Sequence, residues 1–232
     1  ISAVVVFSVI CAAAFGPILA PHDPLQTDLS MRLAPPSREF PLGNDALGRC
    51  LLSRILWGAR TSIVLGFAVV ISSGAVGVTI GLISGYAGGI VDEMFMRITD
   101  VFLSFPEIIA AMAVAGLMGP GTANMLLVLA LVNWMRYARL VRGIALSVKE
   151  RDYVKAAELS GVSNTAIILR HLLPPGIPYI IVLGTIGLAK AILAVSALGF
   201  LGFGVQPPSP EWGTLLMEGK EYIPTSTRVR GT

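Results

Sequence analysis

Few residues of this chain are of types that do covalent chemistry, and their spacing points to contact rather than catalysis. His22 and His171 are the only two histidines and stand in unrelated segments, and Cys11 and Cys50 are the only two cysteines. No Cys/His cluster has metal-ligand spacing, so no metal site is expected. The sequence has no G-x-x-x-x-G-K-[ST] loop to cradle phosphates, so the chain is not expected to bind nucleotide itself. Asp100, Glu107 and Lys190 are ionisable residues in or beside apolar segments. A charge at such a place is costly and usually faces a bundle interior or water, which makes these three candidate contacts along a polar pathway. For Asp100 and Glu107 the preferred reading is plainer: an interfacial carboxylate, and a helix-end carboxylate beside Pro106. For Lys190 a pathway or ion-pair role and simple snorkelling are equally good readings.

The most informative stretch is Glu150 to Pro174, polar and set between two apolar segments. Its first half reads as a short helix with Tyr153, Val154 and Ala157 on one side. Gly161 falls where a helix C-terminus uses the left-handed conformation. Ser163 is a candidate N-cap for a second short helix, which Pro174 and Pro175 are expected to end. The product is a helix, a glycine turn and a helix at a membrane surface.

The elements that hold these residues follow from composition. Of 232 residues 54% are apolar and only 13% charged, with 25 Gly and a mean hydropathy of +0.77. A soluble domain carries about 25% charged residues, so a soluble enzyme and a disordered chain are both excluded. The net charge of +3 is too small and too dispersed for nucleic-acid binding. The fold class is all-α: a polytopic helical membrane protein.

A span needs about 20 apolar residues. Five are expected: 1–20, 61–83, 91–118 with a kink at Pro106, 123–146 and 175–204. Residues 21–60 read as an extended extracytoplasmic Pro-rich segment, ending in a short amphipathic helix over 47–59, and Cys50 reads as reachable from outside. Residues 84–89 read as a turn. Gly66, Gly74, Gly77 and Gly81 offer small faces for helix packing. Residues 61–205 form the transmembrane core, with a cytoplasmic loop over 147–174 placed inside by its Lys/Arg excess. Arg136, Arg139 and Arg142 read as a basic interfacial face that fixes topology. Residues 206–232 are expected to be extracytoplasmic and cut short before a sixth span.

The pattern Ala156-Ala157, Gly161, Leu173-Pro174 resembles the cytoplasmic coupling loop of ATP-binding-cassette importer permeases. That family's loop reads Glu-Ala-Ala, three residues, Gly, nine residues, then Ile-x-Leu-Pro. Lys155 stands in place of the usual Glu and His171 in place of Ile; Arg170-His171-Leu172-Leu173-Pro174 resembles the variant of the peptide and nickel importer branch. Further segments are similar to the second permease of that branch: Pro41-Leu42-Gly43-Asn44-Asp45, Gly85-Tyr86-Ala87-Gly88-Gly89, Met96-Arg97-Ile98-Thr99-Asp100 and Glu211-Trp212-Gly213.

The resemblance implies a type I importer transmembrane domain in a prokaryotic inner membrane. It implies a non-catalytic subunit forming half of a pathway for di- or oligopeptides, or nickel. The implied partners are a homologous permease, two ATPase subunits that bind the ATP, and an extracytoplasmic binding protein. It also assigns Tyr153, Ala156, Ala157, Gly161, His171, Leu173 and Pro174 to the loop that docks on an ATPase. A secondary transporter or channel would instead show paired broken helices or inverted repeats, and a passive anchor would have no use for an ordered polar loop.

Overall fold

Residues 51–87 are apolar and free of proline, and nothing in them interrupts the helical hydrogen-bond ladder. They form one helix, α1 (Leu51–Ala87), of 37 residues. The structure is a computed structural model that describes residues 15–222. The first expected span therefore lies mostly outside the described residues, as do Cys11 and the tail from residue 223. The separate amphipathic helix expected over 47–59 is not separate: no proline stands near Arg60, and the one glycine there, Gly58, stays helical and packs against Trp212 and Leu215. The turn expected from Ser84 begins only at Gly88, where consecutive glycines, Gly88 and Gly89, take φ +66° and +54°.

Two helices follow, α2 (Gly89–Leu103) and α3 (Glu107–Met118), which meet at 95°. Pro106 gives more than a kink here. Its ring and missing N–H fall at the start of α3, and the chain breaks at the preceding residues. After Gly119 and Gly121, both at positive φ, α4 (Thr122–Lys149) begins. The loop contributes α5 (Asp152–Leu159).

The next helix, α6 (Asn164–Phe200), is continuous for 37 residues. It passes through Pro174 and Pro175, which the sequence reading placed at its end. The turn before them, Ile168–Leu172, is π-helical, and the Leu173 N–H donates to the carbonyl of Ile168, five residues back. Two successive proline rings would press on carbonyls four residues back, and the wider turn removes that clash. A last short helix, α7 (Trp212–Gly219), follows.

Among the described residues, α1 and α6 are long and apolar enough to cross a membrane, and the bent α2–α3 pair makes a third candidate. The helix α4 has the length of a span, but Arg136, Arg139 and Arg142 interrupt its apolar run.

The chain divides into two compact units, each with its own packing. Among the described residues, one comprises 15–66, 115–125 and 192–222. Its Pro-rich segment is irregular, with a single 3-10 turn at Leu29–Met31, yet it is pinned by buried ions. The Arg49 Nε–H donates to Asp45 Oδ2 at 2.6 Å, and Arg49 and Arg54 both donate to Glu218 Oε2, at 3.0 and 2.8 Å. The Arg54 side chain is fully buried; its Nε lies 3.4 Å from Asp45 Oδ2 without hydrogen-bond geometry. Glu211 caps α7 and is also fully buried. Its carboxylate accepts from the Thr214 N–H at 3.1 Å, Ser62 Oγ at 2.7 Å and Ser196 Oγ at 3.2 Å. Cys50 is free and 3% exposed. It is packed away from solvent, contrary to the expectation that an external reagent reaches it.

The other unit comprises residues 67–114 and 126–191. Its seam is the row Gly77, Gly81, Gly85 on α1, laid against the backbone of α4. A Cβ on Gly81 would sit 2.5 Å from the Ala138 carbonyl oxygen, and one on Gly85 2.7 Å from the Ala145 Cβ. Gly85, expected in a turn, is the third member of this row. Gly74 makes only ordinary contacts, with Tyr137. Small residues four apart allow such backbone approach.

Candidate functional site

The loop between α4 and α6 is fastened from beneath by apolar side chains. Val154, Ile167 and Leu172 are fully buried in a cluster with Leu82, Val141, Ala145 and Val148. Polar clamps add to this: Lys149 Nζ donates to the Tyr86 carbonyl at 2.6 Å, and Tyr86 Oη donates to Asn164 Oδ1 at 2.9 Å.

Gly161, at φ +76°, closes α5 in a Schellman arrangement. The Val162 N–H donates to the Ala157 carbonyl at 3.2 Å and the Gly161 N–H to that of Glu158 at 3.0 Å. This is the conformation that the sequence demanded of that glycine. Ser163 occupies the N-cap position of α6, but its hydroxyl makes no capping bond.

The loop turns outward a mostly polar surface in which three large apolar side chains are set. Leu159 is 91% exposed, Leu169 55% and Tyr153 48%. Ala156 is exposed and Ala157 half-buried. The Tyr153 and His171 rings are 6.0 Å apart in a tilted pair, so His171 props the ring that faces out. Leu173 packs against the buried cluster, while Pro174 is exposed. Lys155, the residue that departs from the family pattern, lies 2.9 Å from Glu150 Oε2. The hydrogen bond and charge of Lys155 hold the Glu150 carboxyl below its ordinary range, and Glu150 in turn raises the Lys155 ammonium. The sequence reading missed Leu159 and Leu169. Their signal was a bare leucine on the polar side of each short helix.

The other three candidates fall elsewhere. Asp100 pairs with Arg139, Glu107 with Arg136, and Asp92 with Arg142. Three arginines spaced three residues apart on α4 thus meet three acids on the broken α2–α3 pair. They do not form the open basic face expected of them. The Arg142–Asp92 contact is two-pronged, with Nε to Oδ1 at 2.9 Å and Nη2 to Oδ2 at 2.5 Å, and Ser84 also donates to Asp92. A fork of this kind fixes orientation as well as distance. Lys190 has no carboxylate partner among the described residues. It lines a small cavity with Arg136, Tyr137, Asn133 and Ser73.

Residues 77–226 match the binding-protein-dependent transport system inner membrane component family, and residues 1–36 match the N-terminal TM domain of oligopeptide transport permease C. The chain is 40% identical over 220 residues to the dipeptide transport system permease protein of Alkalihalophilus pseudofirmus, covering 95% of this chain and 72% of the relative. It is 41% identical over 222 residues to the probable D,D-dipeptide transport system permease protein of Escherichia coli, covering 96% of this chain and 74% of the relative. A di/tripeptide transport system permease of Pseudomonas aeruginosa is 38% identical over 221 residues, covering 93% of this chain and 73% of the relative. The all-helical fold with its membrane-length apolar helices agrees with these matches. The chain belongs to the binding-protein-dependent transport system inner membrane components, as an inner-membrane permease subunit of an ATP-binding-cassette importer.

Proposed function

We propose that the chain forms half of a translocation pathway for di- or oligopeptides and is driven through the 147–174 loop. A homologous permease supplies the other half. Two ATPase subunits bind and hydrolyse the ATP, and an extracytoplasmic binding protein delivers the cargo. The subunit itself performs no catalysis. Peptide cargo is inferred from the names of the relatives; nickel is the second reading, taken from the wider branch.

One observation carries the loop assignment. The side facing α1 and α4 is fully buried, while the opposite side exposes Tyr153, Leu159 and Leu169 outside the apolar spans. Such a surface suits a protein groove, with Ala156 keeping the contact close. Gly161 sets the angle between α5 and α6, His171 supports Tyr153, and Leu173 and Pro174 join the loop to the long helix. A push on the loop therefore passes into a rod of 37 residues. Nucleotide shifts the transporter between states because loop and ATPase contact each other differently in the two.

The test is reconstitution of the full complex in proteoliposomes. Uptake of a labelled dipeptide that requires ATP, the ATPases and the binding protein supports the proposal. Uptake of nickel alone would replace the cargo, and uptake without ATP would reject the mechanism.

A further inference from the structure

Within the unit of residues 67–114 and 126–191, one cavity combines unmatched polarity with room for a small group. It is lined by Val69, Ser73, Asn133, Arg136, Tyr137 and Lys190, among others, and holds about 50 Å³ of free space. That is enough for a few waters or one compact functional group. Tyr137 is 5% exposed, and its hydroxyl has no hydrogen-bond partner. The chain makes space for that hydroxyl: a Cβ on Gly187 would lie 3.0 Å from Tyr137 Oη, and one on Gly184 3.9 Å. A buried hydroxyl left unpaired by the chain takes its partner from what enters the cavity, a water or a ligand group.

The charges decide what kind of partner. Arg136 is paired with Glu107, so the two nearly cancel. Lys190 has no acid partner among the described residues, which leaves the cavity one net positive charge. Of the remaining polar groups, Ser73 Oγ already donates to the Val69 carbonyl and Asn133 Nδ2 to that of Leu129, which leaves Tyr137 Oη as the uncommitted hydroxyl. A free hydroxyl donor beside an uncancelled ammonium fits one carboxylate.

We propose that this cavity is a carboxylate subsite, in which Lys190 and Tyr137 hold the C-terminal carboxylate of a peptide during passage. The inference rests on the peptide-import reading above. An acid of the partner permease facing Lys190 is the competing occupant.

Two measurements on the assembled complex test it. In the first, Asn133→Cys is placed in a background lacking Cys11 and Cys50. It is labelled with anionic sulfonatoethyl or cationic trimethylammonioethyl methanethiosulfonate. With each rate divided by that reagent's rate on a free thiol in solution, the anion is expected to be favoured about tenfold over the cation with Lys190 present, and this preference is expected to vanish with Lys190→Gln. Equal normalised rates in both backgrounds, the result if a partner acid cancels Lys190, would overturn the proposal.

In the second, uptake of alanyl-phenylalanine is compared with that of its C-terminal amide, each loaded to saturation on the binding protein. The free acid is expected to be carried several-fold faster, Lys190→Gln to bring it down to the amide's rate without slowing the amide, and Lys190→Arg to restore it. An equal slowing of both peptides marks a structural role and overturns the subsite. The labelling experiment needs no uptake. A complex that carries no peptide therefore fails the peptide-import reading, while the labelling rates still decide whether the cavity favours anions.

Discussion

Replacing Gly81 by alanine tests the backbone seam on which the loop is mounted. The added Cβ would lie 2.5 Å from the Ala138 oxygen and 3.0 Å from both Arg142 N and Val141 Cβ. Ordinary contact begins near 3.4 Å, so α1 and α4 must part by about 0.9 Å at this point. A gap of about 0.5–1 Å forfeits a quarter to a half of each atom–atom attraction along the seam. Overpacking of a filled site costs about 1–3 kcal/mol, and we take about 2 kcal/mol here. Alanine also gains up to about 1 kcal/mol over glycine in helix propensity, which would mask part of the loss. Gly143→Ala cancels that gain: it lies on α4 with nothing within 4 Å of its would-be Cβ. The assay is thermal unfolding of the purified complex, with Gly81→Ala compared with Gly143→Ala. A difference of about 2 kcal/mol corresponds to roughly 4–8 °C in Tm for a chain of this size. Equal midpoints for the two variants would refute the close backbone packing.

Three further outcomes are expected. Asp92→Asn and Arg142→Gln should show a coupling of about 1–2 kcal/mol in a double-mutant cycle read by Tm, because they share a two-pronged contact; additive losses would contradict the pairing. Arg54→Ala should destabilise by about 1.5–3 kcal/mol, since it removes a charged hydrogen bond while Glu218 keeps Arg49 as its remaining cation. Arg54→Lys should recover part of that loss when the variants are ranked by denaturant midpoint. Gly161→Val should lower ATP-dependent uptake while Gly161→Asn retains most of it. Space is open there but φ is +76°, a conformation that costs a branched side chain about 1–2 kcal/mol and that asparagine tolerates. Equal uptake by both variants would show that the turn is not under conformational demand.

Residue by residue, legibility in the sequence followed the range of the interaction. The glycine turn at Gly161 was readable because its cause is local: one backbone conformation, one residue type. The apolar runs of α1 and α6 were readable because hydropathy over about 20 residues is a property of the segment alone. The continuity of α6 through Pro174 and Pro175 was not, because a single π-helical turn absorbs what proline usually breaks. Nor was the pairing of Arg136, Arg139 and Arg142, since their acids lie 29, 39 and 50 residues away and meet them only after the chain turns 95° at Ser104–Pro106. Gly85 was assigned to a turn because its neighbours Gly88 and Gly89 are turn formers; its own role is set by Ala145 across the seam. The outward face of the loop needed the structure, because only the burial of Val154, Ile167 and Leu172 tells which side remains for a partner.

The most direct measurement is a cross-link from the loop. A cysteine replaces Ala156, on the exposed side of α5, in a chain lacking its native cysteines, and the importer is assembled with its partner permease and ATPases. An adduct with an ATPase whose yield changes between nucleotide-free and ATP-bound states is the expected result, and it would establish the loop as the element that receives the stroke. No adduct with either ATPase in an intact, transporting complex would contradict that role.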